Sequence, residues 1–358
     1  MKNILLVDDS ALMRRVLCDI IESDGRFHVA GRAVNGKEAL DLLLKNKYDA
    51  VVLDVNMPMM DGIQLLKELH KRRLSFNIMM ASTDTMEGAK VTLDALDLGA
   101  LDFIHKPSTA ADCKEESFKK HFLRVLEGVI ESKPPVFGDT KAFSLDDYKS
   151  SRRVMDVVAK TASKIKGRKL VAIACSTGGP KALQAVIPKL PGNLNAPVML
   201  VQHMPTGFTK SLAERLDSLS EIKVTEGQEG DALENGHVYI AMGGKHMNFA
   251  RGAANGRIHY TDEPTREGVK PCANYMYESL GFSDYDEIVC VVLTGMGADG
   301  TQGIQHLKES KKVHVITQDK ASCTVYGMPK AAETAGLSDQ VVPLDQVAQE
   351  IIMNVGVK

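Results

Sequence analysis

Three residue types that together can activate a hydroxyl follow three apolar runs in the second half of the chain. KLVAIA leads into Cys175-Ser176-Thr177-Gly178-Gly179-Pro180, APVMLVQ leads into His203, and EIVCVVLTG leads into Met296-Gly297-Ala298-Asp299-Gly300. A serine needs a base within hydrogen-bond reach to attack at neutral pH, and an imidazole base needs a carboxylate to fix its tautomer and stabilise its cation. The serine turn by itself is ambiguous. A sharp strand-to-helix turn can expose a nucleophile and hold an oxyanion on helix amides, but a Gly-rich turn also serves as a phosphate cradle or simply as a tight turn. Ala174 stands two residues before the serine, where the GxSxG elbow has its first glycine, so that motif is not met. Taken one at a time, His203 reads as a loop histidine and Asp299 as a cap on the helix that follows it. Their shared position at strand carboxyl ends favours Ser176 as nucleophile, His203 as base and Asp299 as orienting carboxylate. Cys175 is a rival nucleophile only in name, since consecutive residues at such a turn point apart.

A second set of residues suits phosphoryl chemistry. Asp8 and Asp9 follow ILLV, and Asp54 follows AVVL. In a parallel sheet the carboxyl ends of the strands line one crevice, so these carboxylates converge despite their separation in sequence. Carboxylates held together repel unless a hard cation binds, and Mg²⁺ takes one or two of them while leaving positions for water and phosphate. Two further runs deliver Ser82 and Lys106 to the same rim, and the Lys106 ammonium can pair with a phosphorylated carboxylate.

The elements that must position these groups come from an α/β pattern repeated twice. Apolar runs at 4–7, 50–53, 78–81 and 103–104 alternate with helix-like stretches, the pattern of a buried parallel sheet. Residues 117–130 place Phe118, Phe122, Val125, Leu126 and Val129 at helical spacing, which suits a last helix on that sheet. Next comes Pro134-Pro135, and residues 141–169 carry nine Lys or Arg against three Asp. This reads as a solvated tether, with docking on an acidic partner as the alternative. Runs at 170–174, 198–201, 288–293 and 313–316 then restart the rhythm. Short strands at 237–241, 247–250 and 257–260, with Gly243-Gly244 and Asn255-Gly256 as turns, suggest an antiparallel hairpin inserted on the second sheet. The expected organisation is a domain over 1–125, a linker over 126–168 and a domain over 169–358.

Composition narrows the classes. With 358 residues, two domains are expected. The 44 Lys+Arg against 46 Asp+Glu give no bulk attraction to nucleic acid. The apolar run at 4–7 is too short for a signal peptide and the longest, at 288–293, is too short to cross a bilayer, so neither export nor membrane insertion is expected. Six scattered cysteines without a CxxC pair indicate neither a zinc cluster nor a disulfide framework, in keeping with a reducing cytoplasm.

Over roughly residues 1–125, Asp8-Asp9, Asp54 in VVLDVNMPMMDG, Ser82 in IMMAST and Lys106-Pro107 in DFIHKP resemble the response-regulator receiver domain. That resemblance implies a flavodoxin-like fold with Asp54 as phospho-acceptor. It also implies Mg²⁺ held by Asp8, Asp9, Asp54 and the carbonyl of Asn56, a switch hydroxyl at Ser82, an aromatic switch at Phe103, and Lys106 as phosphate partner. The segments STGGP, VQHMPTGFT, YIAMGGKHM and LTGMGADG resemble the catalytic domain of the bacterial chemotaxis protein-glutamate methylesterases, a Rossmann-like three-layer fold. The implied roles are Ser176 nucleophile, His203 base and acid, Asp299 orienting carboxylate, and the amides of Thr177 and Met296 as oxyanion donors, with no cofactor for ester hydrolysis. The implied reaction removes methyl esters from glutamates of chemoreceptor cytoplasmic helices and deamidates specific glutamines. A chemotaxis histidine kinase is the implied phosphodonor, and phosphorylation of Asp54 the implied relief from inhibition by the receiver.

The chain departs from that family at Ala174-Cys175, where Gly-Ala is usual, and at Met242, where Pro is usual. It also carries Val269-Lys270-Pro271-Cys272-Ala273-Asn274 in place of a His-Arg-Pro-Ser-Val-Asp segment, which implies altered substrate contacts. Two other classes stand as rivals: a catalytically silent receptor-binding regulator, and a DNA-binding regulator, for which no helix-turn-helix-sized unit or broad basic pattern is evident.

Overall fold

Strands whose residues are apolar without alternation must be covered on both faces, and both sheets of this protein are built around such strands. The computed structural model describes residues 1–83, 86–107, 109, 112–134, 167–252 and 255–358. It divides into two units, Met1–Thr140 and Lys141–Lys358. Residues 135–166, most of the expected linker over 126–168, lie outside the described residues.

The first unit holds five parallel strands: β1 (Lys2–Val7), β2 (Phe27–Ala33), β3 (Ala50–Asp54), β4 (Ile78–Thr83) and β5 (Asp102–Lys106). Their order is β2-β1-β3-β4-β5, so the winding reverses between β1 and β3, the flavodoxin-like arrangement that opens a crevice at the strand carboxyl ends. Val7 pairs with Leu53 and Asp54 with Ala81, which sets the carboxylates after β1 and at the end of β3 side by side. The helix Glu116–Glu131 runs beyond the expected domain end at 125, because Leu126 and Val129 belong to the core under the sheet.

The second unit is a seven-stranded parallel sheet in the order β14-β13-β12-β6-β7-β9-β8. The strands are β6 (Lys169–Cys175), β7 (Val198–Gln202), β8 (Lys223–Glu226), β9 (His237–Ile240), β12 (Glu287–Val292), β13 (Lys312–Gln318) and β14 (Gln340–Val342). β6 is central. From it the chain builds outwards through β7 on one side and later through β12 on the other, so the topological switch point lies between β6 and β12. β7 and β12 are buried throughout, as is β6 beyond its first residue.

The expected hairpin of three short strands needs correction. β10 (His246–Ala250) and β11 (Arg257–Thr261) do pair antiparallel as a separate two-stranded sheet. β9 instead lies in the main sheet, parallel to β7 and β8, with Val198 opposite Val238. All four of its residues are buried, which a strand in a lone ribbon cannot achieve. Met247, Phe249 and Ile258 of the ribbon pack into the same core as Tyr239.

Candidate active site and phosphoacceptor pocket

Cys175 and Gln202 are the last registered pair between β6 and β7. Ser176 and His203 are therefore the next residues on two strands that lie about 5 Å apart. The His203 N–H donates to the Cys175 carbonyl at 3.1 Å and the Ser176 N–H to the Thr294 carbonyl at 3.0 Å, so the serine is tied to the chain leaving β12. Gly295 is required there, since a Cβ at that position would lie 2.7 Å from Ser176 Cβ. His203 Nε2 lies 2.8 Å from Asp299 Oδ2, with both side chains almost wholly buried. The three expected residues thus come from the ends of three adjacent strands, β12, β6 and β7.

The Asp299 contact fixes the imidazole tautomer. With the proton on Nε2 facing the carboxylate, Nδ1 is left with its lone pair, the form that accepts a proton. Among the described residues neither the Ser176 hydroxyl nor His203 Nδ1 has a hydrogen-bond partner. A nucleophile and base that join only on substrate binding are common in unliganded enzymes. The amides of Thr177 and Met296 likewise donate to no protein group among the described residues.

Asp299 is held from its far side by a segment the sequence did not associate with it. It accepts hydrogen bonds from Ala273 N at 2.6 Å, Asn274 N at 2.9 Å and Cys272 Sγ at 3.0 Å. Burial alone would raise its pKa, but His203 and these donors outweigh burial and hold the carboxyl below its ordinary value. Within the divergent segment 269–274, Cys272, Ala273 and Asn274 thus hold the carboxylate. Asp299 is also no cap for its own helix, Thr301–Ser310, whose N-cap is Gly300. It binds the first amides of the helix Ala273–Ser279, and Asn274 Oδ1 returns the arrangement by accepting from Gly300 N at 3.0 Å and Gly303 N at 2.7 Å. Two helix starts therefore cap one another across the site.

Cys175 is wholly buried, donates to Gln202 Oε1 at 3.0 Å, and has its thiol pushed up by burial. Such a thiol is no nucleophile.

In the first unit, one ligand atom each from Asp8, Asp9 and Asp54 lie within 4.8 Å of one another. The Lys106 ammonium lies 2.8 Å from Asp8 Oδ2 and 2.7 Å from Asp54 Oδ1, all three groups being buried. Burial pushes the Asp54 carboxyl up, and Lys106 only partly offsets this. Burial also works to lower the Lys106 pKa, but the charges of Asp54 and Asp8 prevail and raise it. Ser82 and Phe103 are buried on β4 and β5, and Asn56 is exposed just beyond β3. Three converging oxygen donors suit a hard divalent cation.

A CheB methylesterase model matches residues 171–351, and a response regulator receiver domain model matches residues 4–116. The chain belongs to the CheB methylesterase family. It is 40% identical over 355 residues to a protein-glutamate methylesterase/protein-glutamine glutaminase of Bacillus subtilis, covering 98% of each. A protein of the same description from Syntrophomonas wolfei is 39% identical over 357 residues, again with 98% of each covered. The crystal structure of the Thermotoga maritima CheB methylesterase catalytic domain aligns with a TM-score of 0.50 and 39% identity, covering 52% of this chain and 98% of that one. Within this member of the family, no helix among the described residues is long and apolar enough to cross a membrane.

Proposed function

We propose that the chain hydrolyses γ-glutamyl methyl esters on chemoreceptor cytoplasmic helices, releasing methanol, and deamidates specific receptor glutamines, under control of phosphorylation at Asp54. The names of its relatives support the activity, and the His203 to Asp299 contact beside Ser176 supports the mechanism. Ser176 Oγ attacks the ester carbonyl while its proton passes to His203 Nδ1, and Asp299 stabilises the resulting imidazolium through Nε2. The amides of Thr177 and Met296 receive the oxyanion. His203 returns the proton to the departing methoxide, and water, deprotonated by the same nitrogen, frees the acyl-enzyme as glutamate. A glutamine side chain follows the same course with ammonia as leaving group.

In the receiver, Asp8, Asp9, Asp54 and the carbonyl of Asn56 would hold Mg²⁺, which supplies charge stabilisation for the phosphoryl group when bound. Asp54 Oδ forms the new bond to phosphorus as the bond from phosphorus to the donor's histidine nitrogen breaks and leaves an imidazole on the donor; Lys106 pairs with the phosphate, and Ser82 and Phe103 carry the rearrangement. A chemotaxis histidine kinase is the proposed donor. The receiver is assigned to 1–125, extended by its last helix, and the catalytic domain to 169–358, with the basic tether between them. A cytoplasmic location accords with this chemistry.

The test is methanol release from methylated receptor membranes. Time-dependent methanol with new glutamate carboxylates in the receptor is expected; receptor binding without either product would favour a silent regulator.

A further inference from the structure

Gln202 is the last residue of β7 and only 2% exposed, yet it is a polar side chain in an otherwise apolar strand. Its Nε2 lies 3.0 Å from the Ser176 carbonyl and 3.2 Å from the His203 carbonyl, so one amide nitrogen donates both of its protons to the residues proposed as nucleophile and base. Its Oε1 accepts from the Cys175 thiol. The β6 to β7 ladder ends at this point, with His203 N donating to the Cys175 carbonyl as its last rung. Beyond it one segment enters the helix Gly179–Val186 and the other leads to the helix Phe208–Leu219. Space for this side chain is built into the turn, because a Cβ at Gly179 would overlap Gln202 Oε1.

We infer that Gln202 is a positioning residue: its side-chain amide continues the ladder one step past the strand ends and locks the backbones of Ser176 and His203 in register for proton transfer. This rests on the hydrolase reading above. Reactive groups displaced by about 1 Å can lose about 10²-fold in rate, which sets the scale of effect expected when the lock is removed.

The full-length chain carrying Gln202→Met, similar in length but without donors, is compared with the native chain by methanol release from methylated receptor membranes. Alongside, Tm is measured to confirm that each protein is folded at the assay temperature. Expected is a fall in kcat of about 10²-fold with KM within about twofold of native. Gln202→Glu gives an independent readout, because a carboxyl can donate to these carbonyls only while protonated; its neighbours there are the Cys175 thiol and, through the backbone, His203. Its pH optimum is expected to move to lower pH than the native optimum. If the Met chain fails to fold, the Glu profile decides, and an unshifted optimum overturns the proposal. Native kcat in the folded Met chain, or a loss matched by an equal loss of folded protein, overturns it as well. Absence of methanol release from the native chain would overturn the hydrolase reading itself and this inference with it.

Discussion

A serine hydroxyl gains reactivity only when an imidazole with a free lone pair faces it, and the contact of Asp299 with Nε2 of His203 directs that lone pair to Nδ1. Asp299 in turn stays ionised because three further donors, from Cys272, Ala273 and Asn274, point at it. Asp299→Asn keeps the shape but sets an amide against those donors and removes the charge that stabilises the imidazolium. It should lower kcat for methanol release on the order of 10²–10⁴-fold with little change in KM, measured by steady-state kinetics. The types and strand-end positions of Ser176, His203 and Asp299 were legible in the sequence because each follows an apolar run. The cradle around Asp299 was not, since its donors lie 25–27 positions away and two of them are backbone amides that no residue type announces.

Among elements, the two helix starts that cap one another carry both geometry and stability. Asn274→Ala removes the acceptor for Gly300 N and Gly303 N and should destabilise the second unit by about 1–3 kcal/mol in a denaturant titration. The β8 and β9 pair sets a pH limit. His237 on β9 is buried, lies 2.9 Å from Thr225 Oγ1 on β8, and has its pKa lowered to about 4 by burial and then by the charge of Lys223. Above the unfolded value of about 6.5 both states are neutral and nothing is lost. As pH falls from 6.5 towards 4 the unfolded chain takes up a proton that the folded chain refuses, so stability declines across that window by up to about 3 kcal/mol. His246, whose Nδ1 accepts from Cys272 N and whose pKa is also lowered, mainly by burial, adds to the same trend. Tm measured against pH should show the decline, and His237→Gln should flatten it. Central strands β6, β7 and β12 were readable because they are buried on both faces; edge strand β2 exposes alternate residues, while β8 has only four residues and β14 only three, so no run marked them. The same cause misplaced β9, whose short run between glycines resembles a hairpin arm as closely as an inner strand.

For the whole molecule, two parallel sheets, each with its candidate site at the strand carboxyl ends, join a receiver domain to a methylesterase domain in one chain. The proposed coupling predicts that acetyl phosphate raises methanol release by the native chain and leaves Asp54→Asn at its basal rate; equal stimulation of both would remove Asp54 from control. The central claim is that the hydroxyl of Ser176 attacks the ester. It is tested most directly by methanol release from methylated receptor membranes with the Ser176→Ala chain, whose Tm and acetyl phosphate labelling at Asp54 should match the native protein. Methanol release at background level is expected, and turnover near the native rate would contradict the account.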